Sequence, residues 1–125
     1  MLPRRTVKEG PVTDSLEQLR AQKCVPLKGA EHGLSVGEVQ DFLGVLPGWA
    51  LSDDGKTISK DFPFKNFYRT MAFVNAIAWV ANREDHHPDM EVGYAHCLVR
   101  FTTHDVGGLS RNDFICAAKV EALLG

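Results

Sequence analysis

The chain is short of cysteine, of excess positive charge and of any long apolar run, and each shortage removes a class of function. Its 125 residues hold three cysteines, Cys24, Cys97 and Cys116, an odd number with no Cys-x-x-Cys pair, so no disulfide framework or thiolate metal knuckle is written in them. Buried or idle thiols in a reducing cytoplasm are the plain expectation. Basic residues number 14 against 16 acidic ones, a net charge of −2, with no basic stripe for nucleic acid and no polybasic cluster for an anionic membrane. The most apolar window, Phe73 to Ala81, is interrupted by Asn75 and falls well short of the ~20 residues a membrane span needs. The opening Met1-Leu2-Pro3-Arg4-Arg5 runs into Lys8-Glu9-Gly10-Pro11 instead of an apolar stretch, which argues against a secretory signal. A Gly-x-Ser-x-Gly elbow, a phosphate loop and a dinucleotide fingerprint are also missing.

What is present is an ordinary globular composition, 44% hydrophobic, sufficient for one domain with a real core. Residues 1–33 are polar, carry Pro3, Pro11 and Pro26, and lack sustained periodicity. They are predicted to be a flexible N-terminal extension, with a short helix at 14–22 whose apolar anchors are Leu16 and Leu19. The domain is placed at 34–125. Ser35 and Glu38 form a capping box, and Val36, Val39, Phe42, Leu43 and Leu46 follow at helical spacing until Pro47-Gly48.

Two short strand-like runs, 49–52 and 56–62, flank Asp53-Asp54-Gly55, a hairpin signal because Gly accepts the positive φ of the turn. A long helix is predicted over 65–83, with Phe67, Met71, Val74, Ile77 or Ala78, and Ala81 as its apolar stripe, widened by Phe73 and Trp79. That breadth leaves surface for a subunit contact. Strands at 90–92 and 96–103 come next, the second alternating Cys97, Val99 and Phe101 with His96, Leu98 and Arg100. Ser110 and Asp113 then cap a last helix. The order αββαββα predicts an α+β fold, a four-stranded antiparallel sheet covered on one face by helices.

The chemistry sits at element ends. Glu84-Asp85-His86-His87-Pro88 follows the long helix, and His104 follows the last strand in Thr102-Thr103-His104-Asp105. Histidine both gives and takes a proton near neutrality. Carbonyls at the C-terminal end of a helix favour the protonated ring there, by ~0.3–1 kcal/mol at an exposed site. Pro88 biases His87 toward extended backbone, so His86 and His87 point opposite ways and should have different roles. On residues alone three readings stay open: histidines without a role, a three-histidine metal site, and metal-free acid–base catalysis. Adjacent histidines rarely reach one metal together, and no His-x-x-x-His supports a site.

Asp85-His86-His87-Pro88-Asp89, Tyr94, Thr102-Thr103-His104, Gly108-Leu109-Ser110 and Asp113, in that joint spacing, resemble the signature of the pterin-4a-carbinolamine dehydratases. The likeness extends upstream through Phe64-Lys65-Asn66-Phe67 and Pro47-Gly48-Trp49-Ala50, covering roughly 34–124. Asn82 departs from it, standing where the family usually carries an acidic side chain. The resemblance implies 4a-hydroxytetrahydrobiopterin dehydratase activity, the loss of water from a 4a-hydroxytetrahydropterin to give quinonoid dihydropterin. His86 and His104 are then the acid–base pair, His87 binds and orients the pterin, and Thr102, Thr103 and Trp49 wall the pocket whose loop Pro88 shapes. It implies no metal and no organic cofactor and a homodimer or homotetramer, while the unpaired cysteine count is what points to a cytoplasmic location. Some dehydratase-like proteins instead act as assembly factors for RuBisCO, so RuBisCO subunits are an alternative class of partner. Tyr94 is expected to be a turn aromatic, Asp113 a helix-cap carboxylate and His96 structural.

Overall fold

The structure, a computed structural model, describes residues 14–124. Helix α1 (Leu16–Ala21) and α2 (Val36–Leu43) precede a hairpin of β1 (Ala50–Leu51) and β2 (Ile58–Pro63). Helix α3 (Phe67–Glu84), strands β3 (Asp89–Val92) and β4 (His96–Phe101), and α4 (Arg111–Ala122) complete the chain. The four strands form one antiparallel sheet in the order β1-β2-β4-β3. The predicted α+β architecture is therefore the observed one, preceded by the extra helix α1. Among the described residues no helix is long and apolar enough to cross a membrane.

Alternation decides the sheet's two faces. Register pairs Ile58 with Phe101 and Phe62 with Cys97, and all four are buried against the helices. Next to Phe62 and Cys97 in the chain, Asp61 and His96 point to the other side, where His96 Nδ1 lies 2.9 Å from Asp61 Oδ1 at the surface. Among the described residues that face carries no helix. Side-chain caps set the helix starts: Ser35 Oγ accepts from Glu38 N–H while Glu38 accepts from Ser35 N–H, and Asn66 Oδ1 accepts from Arg69 N–H. At the far end of α3, Asp85 takes the left-handed conformation (φ 51°), which Asp tolerates better than most residues, and the chain reverses there.

Two sequence expectations need correction. The inward stripe of α3 is Thr70, Phe73, Ile77, Val80 and Ala81, whereas Phe67 and Trp79 are exposed. A helix apolar on most sides has no unique stripe, and the sheet it meets selects one. The described part of the N-terminal segment also packs rather than trails. Leu19 is fully buried in the main core, α1 lies along α4, and Lys119 Nζ donates to the Arg20 carbonyl at 2.8 Å. With the sheet on one side and α1 on the other, α4 buries every residue from Asn112 to Ala118. Periodicity missed this because six residues of helix hold only two apolar anchors. The expectation of flexibility for 1–13 falls outside the described residues.

Candidate active site

Two turns build the site. Reversal at Asp85 presents His86 and His87 beyond the end of α3, and the chain leaving β4 presents His104 in a 3-10 turn, His104–Val106. An isolated bridge between Thr103 and Gly108 closes the second turn, with Thr103 N–H donating to Gly108 C=O at 2.8 Å. His86, His87 and His104 thus come to line one cavity of about 340 Å³, together with Asp85, Thr102, Thr103 and Asp105. That volume suits a small-molecule ligand, whose sites run from about 300 Å³ upward.

His86 is the most constrained of the three. Its Nε2 lies 2.6 Å from Asp113 Oδ1, with the aspartate fully buried and the imidazole side chain 12% exposed. Asp113 Oδ2 accepts from Thr103 Oγ1 at 2.7 Å and from Ser110 N–H at 2.9 Å. Thr103 Oγ1 in turn lies 2.8 Å from Ser110 Oγ, which therefore supplies the proton of that bond. Phe101 stacks on the ring at 6.0 Å and 9°. A carboxylate acceptor pairs with the tautomer of His86 that carries hydrogen on Nε2, the arrangement in which Nδ1 is the ring's acceptor nitrogen. One residue is both the expected helix cap and the group that fixes a tautomer.

The remaining predicted residues divide. Thr102 and Thr103 wall the cavity, but Thr102 Oγ1 donates to Lys56 C=O at 2.5 Å and Thr103 to Asp113, so neither keeps a free hydroxyl proton for a ligand. Pro88 is half-buried at the entry to β3 and does not line the cavity; it holds the backbone after His87. Trp49 does not wall the cavity. It is packed in the core between Phe62 and Phe101, and its Nε1–H donates to Glu121 Oε2 at 2.9 Å, an acceptor shared with Lys60 Nζ at 2.8 Å. A buried indole N–H needs such an acceptor, and Trp49 reaches the site only through Phe101. Tyr94 lies in the turn before β4, one strand length (~20 Å) from His104, and stacks on Phe67 at 6.3 Å.

Asn82 is exposed and lines no part of the cavity. Nearby, Glu84 is turned away to accept from Cys24 N–H at 2.8 Å. Burial pushes its carboxyl up, but that hydrogen bond with Lys119 and Lys23 outweighs burial and holds it below the ordinary carboxylate value. Asp85 and Asp105 are the carboxylates on the cavity rim; the sequence offered Asp85 beside Glu84 as a stand-in for the acid missing at Asn82, and gave no signal for Asp105. Among the described residues no three His, Cys, Asp or Glu side chains are grouped to hold a metal ion.

Comparison with known proteins settles the kinship. The family model described as pterin 4 alpha carbinolamine dehydratase matches residues 32–123. The chain belongs to this family. A protein of Stenotrophomonas maltophilia named "Putative pterin-4-alpha-carbinolamine dehydratase" is 57% identical over 105 residues, covering 84% of this chain and 90% of its own. A namesake from Nitrosospira multiformis is 53% identical over 109 residues, 87% and 95% of the two chains. The crystal structure of a transcriptional coactivator/pterin dehydratase from Brucella melitensis superposes with a TM-score of 0.71 at 32% identity, over 74% of this chain and 98% of that one. A pterin dehydratase-like protein identified as a RuBisCO assembly factor in the alpha-carboxysome shares the fold, with a TM-score of 0.55 at 24% identity over 62% and 90% of the chains. Pterin-4a-carbinolamine dehydratases are hydro-lyases, and this chain is one of that enzyme class.

Proposed function

We propose that the cavity between the two turns dehydrates a 4a-hydroxytetrahydropterin by histidine acid–base catalysis. The observation that carries the reading is that His86, His87 and His104, from separate turns, line one cavity with Asp113 bonded behind His86. In the reaction the C4a–O bond breaks, a proton joins the departing hydroxyl to make water, and the N5 proton leaves as the N5=C4a bond forms. His86 and His104 supply these two transfers. The Asp113 carboxylate holds the His86 ring in one tautomer and stabilises the imidazolium that forms when Nδ1 takes a proton. His87 orients the heterocycle, and Asp85 and Asp105 offer acceptors to its amino-pyrimidinone edge. Two imidazoles meet every proton demand of the elimination, so the reading calls on no metal and no organic cofactor. Three thiols, none joined in a disulfide, suit a reducing cytoplasm.

The chain is also assigned a homo-oligomeric state. Tyr68, Ala72, Asn75 and Trp79 are exposed along α3 at alternating spacings of four and three, the seam of a helix pair, with Tyr68 82% and Trp79 60% exposed. The deciding experiment for activity is stopped-flow dehydration of synthetic 4a-hydroxytetrahydropterin by the purified chain. Acceleration over the uncatalysed rate is expected. A rate equal to buffer alone overturns the reading and directs attention to co-purification with RuBisCO subunits.

A further inference from the structure

Residues 23–29 cross the end of the molecule that carries the histidines, and they are fastened along their length. Cys24 N–H donates to Glu84 Oε1 at 2.8 Å. Asn112 holds Val25 twice, giving Nδ2–H to its carbonyl at 2.7 Å and accepting its N–H at 3.3 Å. Gly29 N–H donates to the Asp105 carbonyl at 2.9 Å. One fastening therefore ends two residues before His86, and another sits in the turn that begins at His104. Between them the strap walls a second cavity of about 420 Å³, with Cys24, Leu27 and Lys28 on one side and Glu84, His86 and Thr103 on the other.

Under this strap Cys24 Sγ lies 3.4 Å from Cys116 Sγ, the two residues 92 positions apart in the chain and both buried. The acid–base chemistry uses neither thiol. Bond formation at ~2.05 Å needs only about 1.4 Å of closure, within reach of side-chain rotation at a residue on a strap. Cys24 borders the cavity, whereas Cys116 is sealed inside α4, one turn from Asp113. The third thiol, Cys97, is in the sheet core and held protonated by burial and by Asp61.

We propose that Cys24 and Cys116 are a redox clamp, a disulfide that staples the N-terminal strap to α4 on exposure to a hydroperoxide. Cys24 sulfur attacks the peroxide, the O–O bond breaks, and Cys24 becomes a sulfenic acid as an alcohol or water departs. Cys116 sulfur then attacks Cys24 sulfur; the S–O bond breaks, the S–S bond forms, and the oxygen leaves as water with the Cys116 proton. Two thiols and one hydroperoxide thus give one disulfide, one water and one alcohol, or two waters from hydrogen peroxide. Contact with Cys24 and burial both push the Cys116 thiol up, so attack begins at Cys24 and Cys116 resolves it. Low-molecular-weight thiols reverse the clamp.

The test needs no turnover. The full chain is treated with stoichiometric hydrogen peroxide, alkylated, clipped in the native state with trypsin at the exposed Lys28, and run on non-reducing gels. The N-terminal fragment is expected to stay attached to the body until reductant is added, and peptide mapping should join Cys24 to Cys116 with Cys97 alkylated only after unfolding. The closed loop should raise the melting temperature by on the order of 10 °C. Cys24→Ser, a change of one atom at the buried strap position that borders the cavity, should lose both the attachment and the peroxide-dependent shift. Release of a fragment that contains Cys24 without reductant, or recovery of Cys24 and Cys116 as separate thiols or separate sulfinic acids, overturns the clamp.

Discussion

Replacing Asp113 by asparagine separates the geometry of the His86 pair from its charge. Asp113 accepts three hydrogen bonds, from His86 Nε2, Thr103 Oγ1 and Ser110 N–H. Asparagine has one acceptor oxygen and an NH₂ group. If the oxygen keeps Thr103 and Ser110, the NH₂ faces His86 Nε2, and the ring must move its hydrogen to Nδ1. The nitrogen left for proton exchange then arrives already protonated and cannot act as a base. A general acid–base group contributes about 10²–10⁴ in rate, so kcat should fall by that factor, about 3–5 kcal/mol of barrier. Loss of one charge-assisted bond should cost folding about 1–3 kcal/mol, read by urea denaturation. Asp113 does not line the cavity, so KM for the 4a-hydroxytetrahydropterin should hold while kcat falls. A kcat within twofold of the parent, or a rise in KM at constant kcat, would refute the assigned role.

His86→Ala and His104→Ala should each slow dehydration by about 10²-fold, and the double variant by little more than the worse single one, because the pair acts as a unit; two parental rates would remove both from the mechanism. Leu19→Ala should destabilise by about 2–5 kcal/mol in denaturant titration, since it empties a fully buried site between α1 and α4, and a cost near zero would show that α1 is not part of the cooperative unit. Glu84 is held below its ordinary value in the folded state, so its stabilisation is present above the unfolded carboxylate range near pH 4.5 and is lost as pH falls through the lower folded value. Thermal melts of Glu84→Gln should accordingly show a shallower loss of stability on acidification below that range, and parallel curves would contradict the attribution. Trp79→Glu should lower the assembly mass in sedimentation velocity without changing the far-UV signal, and an unchanged mass would place the subunit contact elsewhere.

Local chemistry made much of this molecule legible. The αββαββα order followed from turn residues, caps and periods: Asp54-Gly55 between two β-prone runs, Ser35 with Glu38, and the alternation of Cys97, Val99 and Phe101. These signals act over a few residues and need no partner to be read. The histidine trio and its spacing to Asp113 were equally visible, and with them the family. Other features depended on what faces what. Trp49 could stand on a pocket or in a core, and only the position of Glu121 and Lys60 put its indole N–H in the core. Asp113 could be read as a helix cap, but its second oxygen acquires meaning only once the turn at Asp85 brings His86 against it.

The sequence by itself determined which elements form and which side chains can carry protons, because propensity, capping and ionisation belong to residues and their near neighbours. Tertiary structure alone decided that α1 covers α4, that Cys24 meets Cys116, and that Asp85 and Asp105 share a rim with the histidines. Those are contacts between residues 20 to 99 positions apart, fixed by how apolar faces close on one another and not by any local pattern.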